Sequence, residues 1–348
     1  MTNGDLLRQL FRGYSMHDDS AFRSAAVELI QEERTKNHRL LADDLERILL
    51  NGNGNHNGRP NKVSHYEIPK DRERGFPLLD ITESAYDWDR LVLPESSLSP
   101  LKQIVREHRH KDLLAGGGIK PTQRVLFFGP PGCGKTLTAQ VIASVLSFPL
   151  AIVRFDAVVS SYLGETAANL RRVFDFIQRG RWVVLFDEFD AIGKDRDNAF
   201  EHGELKRVVN TLLQLMDAFR GESLLIAATN HEKLLDKAVW RRFETVVQFP
   251  APSVQDRVLM LRQFLRGFDC SLLNIGALAK QLADATGADV ERLSVEVARL
   301  ALLDGRTQIN KGDVRTSLDS YLERRMISRN LTLAETNRRP IGKRRQAD

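Results

Sequence analysis

The stretch GPPGCGKT, residues 129–136, places three glycines, a lysine and a hydroxyl side chain in one short run. It matches the spacing G-x-x-x-x-G-K-[ST] and stands between a strand-like and a helix-like run, a context that favours a phosphate-binding loop. The glycines let backbone N–H groups turn inward around phosphate oxygens, Lys135 can reach the β- and γ-phosphates, and the Thr136 hydroxyl can bind Mg²⁺. The residues expected to contact nucleotide here are Gly129, Pro130, Pro131, Gly132, Cys133, Gly134, Lys135, Thr136 and Leu137.

Two adjacent carboxylates follow the apolar run RWVVLF, residues 181–186. Asp187, at the end of the predicted strand, would hold Mg²⁺ through water, while Glu188 points to the other face of the chain and can accept a proton from an attacking water. Asn230 ends the next predicted strand and would reach the same water or the γ-phosphate. The sequence therefore predicts hydrolysis of a nucleoside triphosphate with Mg²⁺ as cofactor, the metal being held by Thr136 and Asp187.

Five short runs are apolar on both sides of the chain, as strands are when helices cover both faces of a parallel sheet. They are RVLFF (124–128), PLAIVRF (149–155), RWVVLF (181–186), SLLIAA (223–228) and TVVQF (245–249). After residue 252 the strand signals end, and Ser253 with Asp256 resembles a capping box. The expected fold class is α/β, a P-loop NTPase fold with a parallel five-stranded sheet and flanking helices, followed by a small all-helical lid domain.

The N-terminal part forms a separate short helical module in this prediction. Residues 4–50 show helical periodicity. The apolar positions of one face are Phe22, Ala25, Ala26, Leu29 and Ile30. The following NGNGNHNGRPNK contains no core-forming residue and predicts a flexible tether. The expected domains are an N-terminal helical module (1–50), a flexible linker (51–84), the α/β ATPase domain (85–251), the helical lid (252–325) and a basic C-terminal tail (326–348).

The bulk composition is that of an ordinary soluble globular protein. The chain has 348 residues and a net charge of +5, much of it in the tail NRRPIGKRRQAD. No stretch approaches the roughly 18 uninterrupted apolar residues of a membrane span, and the polar start is not a secretory signal. With two cysteines, Cys133 and Cys270, no disulfide framework is expected, so the predicted location is the cytoplasm, without a membrane partner.

The order of these motifs resembles that of the AAA family of ATPases. GIKP (118–121) precedes the phosphate loop, SSYLGETAANLRRVF follows the second predicted strand, and LFDEFDAIG, AATN and LDKAVWRRFE come next. The resemblance runs from about Trp88 to Leu322. It implies a homo-oligomeric ring, usually of six subunits, with nucleotide between neighbours. It also implies that Arg241 and Arg242 are arginine fingers, which reach the γ-phosphate in the next subunit's site.

The segment GAD, residues 287–289, stands where many relatives outside one branch of the family place an Arg that contacts the phosphates. It is similar to the branch that contains katanin, spastin and the proteasomal ATPases, and it implies that Gly287 and Ala288 lie at the nucleotide. WDRLVLPESSL (88–98) departs from the usual Asp-Ile-x-Gly pattern of that branch. We expect Leu91 and Val92 to pack against the adenine.

Tyr162, Leu163 and Gly164 fall where the family carries its first pore loop, which faces the central channel of the ring. A Tyr can wedge against an extended polypeptide without reading its sequence, because its ring offers apolar area at little entropic cost. The expected function is therefore an ATP-driven protein-remodelling motor, an unfoldase or translocase that threads polypeptide through the pore.

Two other functions stay open at this point. The pI near 9.2 and the basic tail suggest a nucleic-acid motor or loader, although an aromatic pore residue favours polypeptide over nucleic acid. The second open function is an ATP-dependent assembly switch. The chain also looks similar to stand-alone bacterial ATPases of this family that act with a separately encoded protease, here of the subtilisin type, or with an adaptor bound through residues 1–50.

Overall fold

The computed structural model describes residues 24–31, 67–159, 163–189, 199–230 and 237–337. The chain divides into two compact units, residues 1–67 and residues 68–348. In the first unit, residues 24–31 form a helix in which Ala25, Ala26 and Ile30 are buried. The rest of the helical prediction for residues 4–50 lies outside the described residues.

The described part of the second unit contains one six-stranded sheet with the order β1-β3-β4-β5-β2-β6. The strands are β1 (Leu79–Thr82), β2 (Arg124–Phe128), β3 (Leu150–Val153), β4 (Val183–Phe186), β5 (Leu224–Thr229) and β6 (Thr245–Gln248). β3, β4, β5, β2 and β6 pair in parallel, so the α/β fold predicted from the five apolar runs is confirmed.

The edge strand β1 was not predicted from the sequence. It pairs antiparallel with β3, and Leu79 stands opposite Val153. The linker expected at residues 51–84 therefore needs a correction, because its last part belongs to the sheet. The sequence does not predict this strand, because its four residues, LDIT, lack the continuous apolar character of the central strands and are only partly buried.

Helices cover both faces of the sheet. They are α1 (Glu95–Arg109), α2 (Lys111–Gly116), α3 (Lys135–Leu146), α4 (Phe155–Val158), α5 (Leu163–Ile177), α6 (Ala199–Ala218) and α7 (Lys237–Trp240). α1 and α3 pack on one face, against alternate residues such as Val125 and Phe127 of β2. α5 and α6 pack on the other face, against Leu126 and its neighbours. The carboxyl ends of the parallel strands consequently open at one edge, where ligands of such sheets bind.

The remaining helices form a lid with a core of its own. They are α8 (Val254–Phe264), α9 (Ile275–Gln281), α10 (Gly287–Leu303) and α11 (Lys311–Asn337). The predicted capping box is confirmed, since Ser253 and Asp256 each accept the other's backbone N–H at the start of α8. Thr286 and Asp289 form a second capping box at the start of α10. Among the described helices, none is long and apolar enough to cross a membrane.

Candidate active site

The phosphate loop, residues 129–136, joins the end of β2 to the start of α3. Its first residue must be a glycine, because two backbone segments of the chain approach closely here. At Gly129 φ is 146°, and a Cβ would lie 2.1 Å from the carbonyl oxygen of Phe249. At Gly132 φ is 73°, and a Cβ would come 2.8 Å from the Thr286 hydroxyl oxygen of the lid. A side chain at Gly129 would therefore collide with the backbone at the end of β6, and a side chain at Gly132 would collide with the lid.

Lys135, in the first turn of α3, is buried and directed along the loop. Its ammonium donates hydrogen bonds to the carbonyl oxygens of Gly129 (2.7 Å) and Pro130 (2.9 Å). The neighbouring thiol stays neutral, because burial raises the pKa of Cys133. The loop therefore presents a positive charge without a compensating thiolate, as a polyphosphate site requires.

The two residues predicted to hold Mg²⁺ are in direct contact. The Thr136 hydroxyl donates to Asp187 Oδ2 at 2.7 Å, although the residues come from α3 and from the end of β4. A hydroxyl and a carboxylate oxygen are the hard oxygen ligands that Mg²⁺ prefers, usually together with water and phosphate oxygens. The residues present therefore fit Mg²⁺: Thr136 and Asp187 would hold it, and it would supply charge neutralisation at the phosphates.

Glu188 and Asn230 follow the carboxyl ends of the neighbouring strands β4 and β5, and both line the same cleft. Glu188 has φ of 50°, a left-handed backbone that is unusual for a residue with a side chain. Its N–H donates to Asp187 Oδ1 at 2.9 Å, which helps to hold this turn. Such strain is of order 1–3 kcal/mol and tends to occur at functional sites. The acid expected to activate water is thus held at the mouth of the cleft.

These residues surround a cleft of about 400 Å³ between the sheet edge and the lid. Its phosphate end, as we name it, consists of Pro131, Gly132, Cys133, Gly134, Lys135, Thr136, Leu137, Asp187, Glu188 and Asn230. Its base end consists of Leu91, Val92, Leu93, Met260, Gln263 and Phe264. Leu91 and Val92 were expected from the sequence to meet the adenine. Gly129 and Pro130 do not line the cleft; their carbonyl oxygens hold Lys135 instead.

The lid touches the phosphate loop directly. The N–H of Ala288, in the first turn of α10, donates to the carbonyl oxygen of Gly132 at 3.0 Å. A Cβ on Gly287 would lie 3.1 Å from the same oxygen, so a small residue suits this contact. Gly287 and Ala288 also line the cleft. Both residues named from the GAD segment therefore stand beside the loop that is expected to bind phosphate.

Arg241 and Arg242 do not line this cleft. They lie between α7 and β6, after Trp240, whose ring packs against Phe128 at the carboxyl end of β2. Arg242 forms an ion pair with Asp217 of α6, whose carboxylate also pairs with Arg124 at 3.2 Å. Arg241 is exposed and forms no ion pair within the described part of the chain.

Comparison with known proteins agrees with this site. Residues 125–251, from β2 to just past β6, match the model of the ATPase family associated with various cellular activities (AAA). An uncharacterized AAA family ATPase, y4kL, of Sinorhizobium fredii is 35% identical over 331 residues, which cover 93% of this chain and 97% of the relative. The chain belongs to the AAA family of ATPases. Its reaction is accordingly the hydrolysis of ATP.

Other relatives of this AAA ATPase are proteasome-activating nucleotidases. That of Thermococcus kodakarensis is 32% identical over 237 residues, 66% of this chain and 59% of the nucleotidase. The proteasome-activating nucleotidase 2 of Haloferax volcanii is 34% identical over 210 residues, 58% of this chain and 51% of its own length. The chain therefore spans somewhat more than half the length of these nucleotidases.

Several cleft residues of the AAA ATPase were not predicted from its sequence. They are Arg90, Leu93, Met260, Gln263, Phe264 and Glu291. Met260 and Phe264 lie on α8 and also pack against the lid core, and their apolar type does not distinguish a ligand contact from a core contact. Of the three predicted pore-loop residues, Tyr162 lies outside the described residues, while Leu163 and Gly164 begin α5.

Proposed function

We propose that this chain is the subunit of an ATP-driven protein-remodelling motor, an unfoldase or translocase, that hydrolyses ATP at the subunit interfaces of a ring. In this proposal the ring, expected to be hexameric, threads polypeptide through a central pore by means of the Tyr162 loops. The observation that carries the proposal is that Arg241 and Arg242 do not line the nucleotide cleft of their own chain, where Arg242 pairs instead with Asp217.

Neither Arg241 nor Arg242 lines the cleft of its own chain, and Asp217 holds Arg242 beside Arg124, at the amino end of β2. In the proposal these guanidinium groups reach the cleft of a second subunit, and a head-to-tail interface of this kind closes into a ring when the rotation permits. An arginine supplied in trans stabilises the charge of the transferring phosphoryl group by roughly 10³–10⁵ in rate. Exposed Arg241 suits this finger role, and the ion pair with Asp217 holds Arg242 next to it.

Within one subunit the described residues suit the remaining steps. Lys135 would exchange the two loop carbonyls for β- and γ-phosphate oxygens, and Thr136 and Asp187 would hold Mg²⁺. Glu188 would accept the proton of the attacking water, and Asn230 would orient that water from the end of β5. Mg²⁺ supplies charge neutralisation at the phosphates when it is bound.

Mixing two inactive variants tests the shared site. Arg241→Ala subunits keep Glu188, and Glu188→Gln subunits keep Arg241, so some interfaces of a mixed ring contain both groups. We expect each variant alone to bind ATP and hydrolyse it slowly, and the mixture to recover part of the activity. Activity that stays at the level of the separate variants, or an Arg241→Ala subunit that hydrolyses ATP at the normal rate, would contradict hydrolysis at interfaces.

The names of the nucleotidase relatives, which activate proteasomes, support a polypeptide as the substrate here. We expect an unfolded polypeptide, casein being a convenient probe, to stimulate hydrolysis by the wild-type chain. Tyr162→Ala should retain basal hydrolysis and lose the stimulation, whereas Tyr86→Ala, at an exposed tyrosine next to α1, should behave as wild type. Full stimulation of Tyr162→Ala would refute the threading mechanism.

A partner protein remains part of the proposal. Glu188→Gln, loaded with ATP, should hold substrates and partners long enough for isolation with the full chain. A separate subtilisin-type protease, or an adaptor bound to residues 1–50, is what we expect to find. Isolation of neither, with substrate polypeptides still captured, would limit the proposal to a motor that acts alone.

A further inference from the structure

Gln263 is a polar residue at the otherwise mostly apolar base end of the cleft. It lies on α8 of the lid, between Met260 and Phe264 in the lining. Its side-chain amide donates from Nε2 to the carbonyl oxygen of Asp89 at 3.0 Å. Because a carbonyl oxygen only accepts, this contact fixes which way the amide is turned: the NH₂ group faces Asp89, and Oε1 is the atom left to accept a hydrogen bond.

The surroundings of Gln263 do not use that acceptor. The neighbouring N–H groups of Arg90 and Leu91 donate to Asp87 and Trp88 within their own turn, each at 3.0 Å. The Arg90 guanidinium lies over the Tyr86 ring, 5.7 Å from its centre. Among the residues that the structure describes, nothing donates a hydrogen bond to Oε1 of Gln263.

The base end offers apolar side chains from two parts of the molecule. Leu91 and Val92 come from the α/β part, and Met260 and Phe264 come from the lid, so a heterocycle bound there would contact apolar groups of both. The cationic and acidic groups expected to bind phosphate and metal lie at the phosphate end, on Lys135 and Asp187. A base held there would bring one of its edges toward Gln263.

We propose that Oε1 of Gln263 accepts a hydrogen bond from the 6-amino group of adenine and so selects adenine over 6-oxopurines. Adenine has a donor at this position, whereas guanine and hypoxanthine have an acceptor, which would face the amide oxygen without a shared proton. A site built to bond a donor rejects an analogue that lacks it, because a polar group is then left unpaired. This inference rests on nucleotide binding in the cleft.

The test compares ADP with purine riboside 5′-diphosphate, which lacks only the 6-amino group and keeps N1 as an acceptor. Neither ligand is hydrolysed, so calorimetry gives both Kd values directly. For the wild-type protein we expect ADP to bind roughly 3- to 10-fold more tightly. Gln263→Met, nearly isosteric but without a hydrogen-bonding group, should bring the ratio close to one. Gln255→Met, at an exposed glutamine on the same helix, should keep the wild-type ratio.

Gln263→Glu distinguishes recognition of adenine from a purely structural role, in which Gln263 only links the lid to Asp89. It loses the donor to Asp89 but keeps an acceptor oxygen, so the preference for ADP should persist even if both affinities fall. A ratio near one in the wild-type protein, an unchanged ratio in Gln263→Met, or equal loss of preference in the Met and Glu variants would each overturn the inference. Failure of ADP to bind the wild-type chain would instead overturn the nucleotide site itself.

Discussion

The two ends of the cleft are built on different physical terms. The phosphate end comes almost entirely from the α/β part, where strand ends and the start of α3 fix backbone groups, one ammonium and two carboxylates. The base end joins the segment before α1 to the first lid helix and offers mainly apolar surface. Binding of charged phosphates requires particular side chains at defined positions, whereas apolar contacts with a base can be made by many residue types of suitable shape. We therefore expect the phosphate end to respond to the loss of single charged groups and the base end, apart from Gln263, to respond mainly to the loss of buried apolar area.

The largest difference between the ends is expected for Lys135→Ala. The variant removes the charge that would bind the β- and γ-phosphates, and hydrogen bonds to charged groups are worth about 1.5–3 kcal/mol each. We expect the affinity for ATP, measured by calorimetry, to fall by at least about 100-fold. Binding of adenosine, which engages only the base end, should change little.

Lys120→Ala provides the control, since Lys120 lies outside the cleft in the loop before β2. It removes the same charge from the chain and should leave both affinities unchanged. An equal loss of adenosine and ATP affinity in Lys135→Ala would mean that the two ends are not separable.

Gly132→Ala tests the place where the loop meets the lid. The new Cβ would lie 2.8 Å from the Thr286 hydroxyl oxygen, which belongs to the capping box of α10, and 3.1 Å from the Ala288 Cβ. The lid should be pushed away from the loop, so we expect ADP and ATP to lose affinity by on the order of tenfold.

Gly118→Ala is the matched control for this variant. Gly118 has a nearly identical φ of 72°, but a Cβ there would meet nothing within 4 Å. It carries the same backbone strain and should cost stability without affecting nucleotide affinity. Equal effects of the two variants on affinity would indicate that strain, and not the lid contact, is responsible.

Phe264→Ala addresses the base end alone. Loss of an aromatic face should weaken ATP, ADP and AMP by one common factor, roughly 10-fold, because none of the phosphate contacts changes. Equilibrium binding of the three nucleotides gives the factor. Phe268→Ala, at a partly buried phenylalanine that packs in the same lid core but does not line the cleft, should lower stability without this loss. A factor that grows with the number of phosphates would contradict the division into two ends.

The contrast between the phosphate end and the base end also explains which site residues the sequence could predict. Lys135, Thr136, Asp187 and Glu188 belong to a chemistry that tolerates few residue types, and their order with the strand runs gave both the phosphate end and the parallel sheet. Gly287 and Ala288 came only from the resemblance to the AAA family, and they do contact the loop.

The unpredicted features have no such residue requirement. Met260 and Phe264 are apolar residues on a helix that also needs apolar residues for its core, so their composition fits either role. β1 is a short half-exposed edge strand. The ion pair of Arg242 with Asp217 joins residues 25 positions apart on separate elements, and only the folded sheet brings them together.

The smallest expected effect concerns the packing of α1 near the amino end of β2, outside the cleft, and depends on pH. His108 of α1 is buried, its Nε2 lies 2.7 Å from the Thr122 carbonyl oxygen ahead of β2, and its ring meets Phe148 edge-on. Burial lowers the pKa of His108, and the carbonyl and the nearby Glu107 and Glu244 oppose this only in part. As the pH falls, the His108 imidazole is therefore protonated near pH 6.5 in the unfolded chain but only at a lower pH in the folded protein. The resulting stability is fully present above that pH and is lost as pH falls from there toward the folded pKa.

We expect the wild-type Tm to decrease by a few degrees between pH 7.5 and pH 5.5, measured by calorimetry without nucleotide. His108→Gln keeps an N–H donor for the Thr122 carbonyl but cannot be protonated, so its Tm should vary less over this range. His110→Gln, at the exposed end of the same helix, should retain the wild-type pH dependence. The same drop in all three proteins would trace it to other groups. A drop confined to proteins with His108, with adenosine affinity constant, would assign the pH sensitivity to the packing of α1 near the amino end of β2 and not to the cleft, whose lining residues include no histidine.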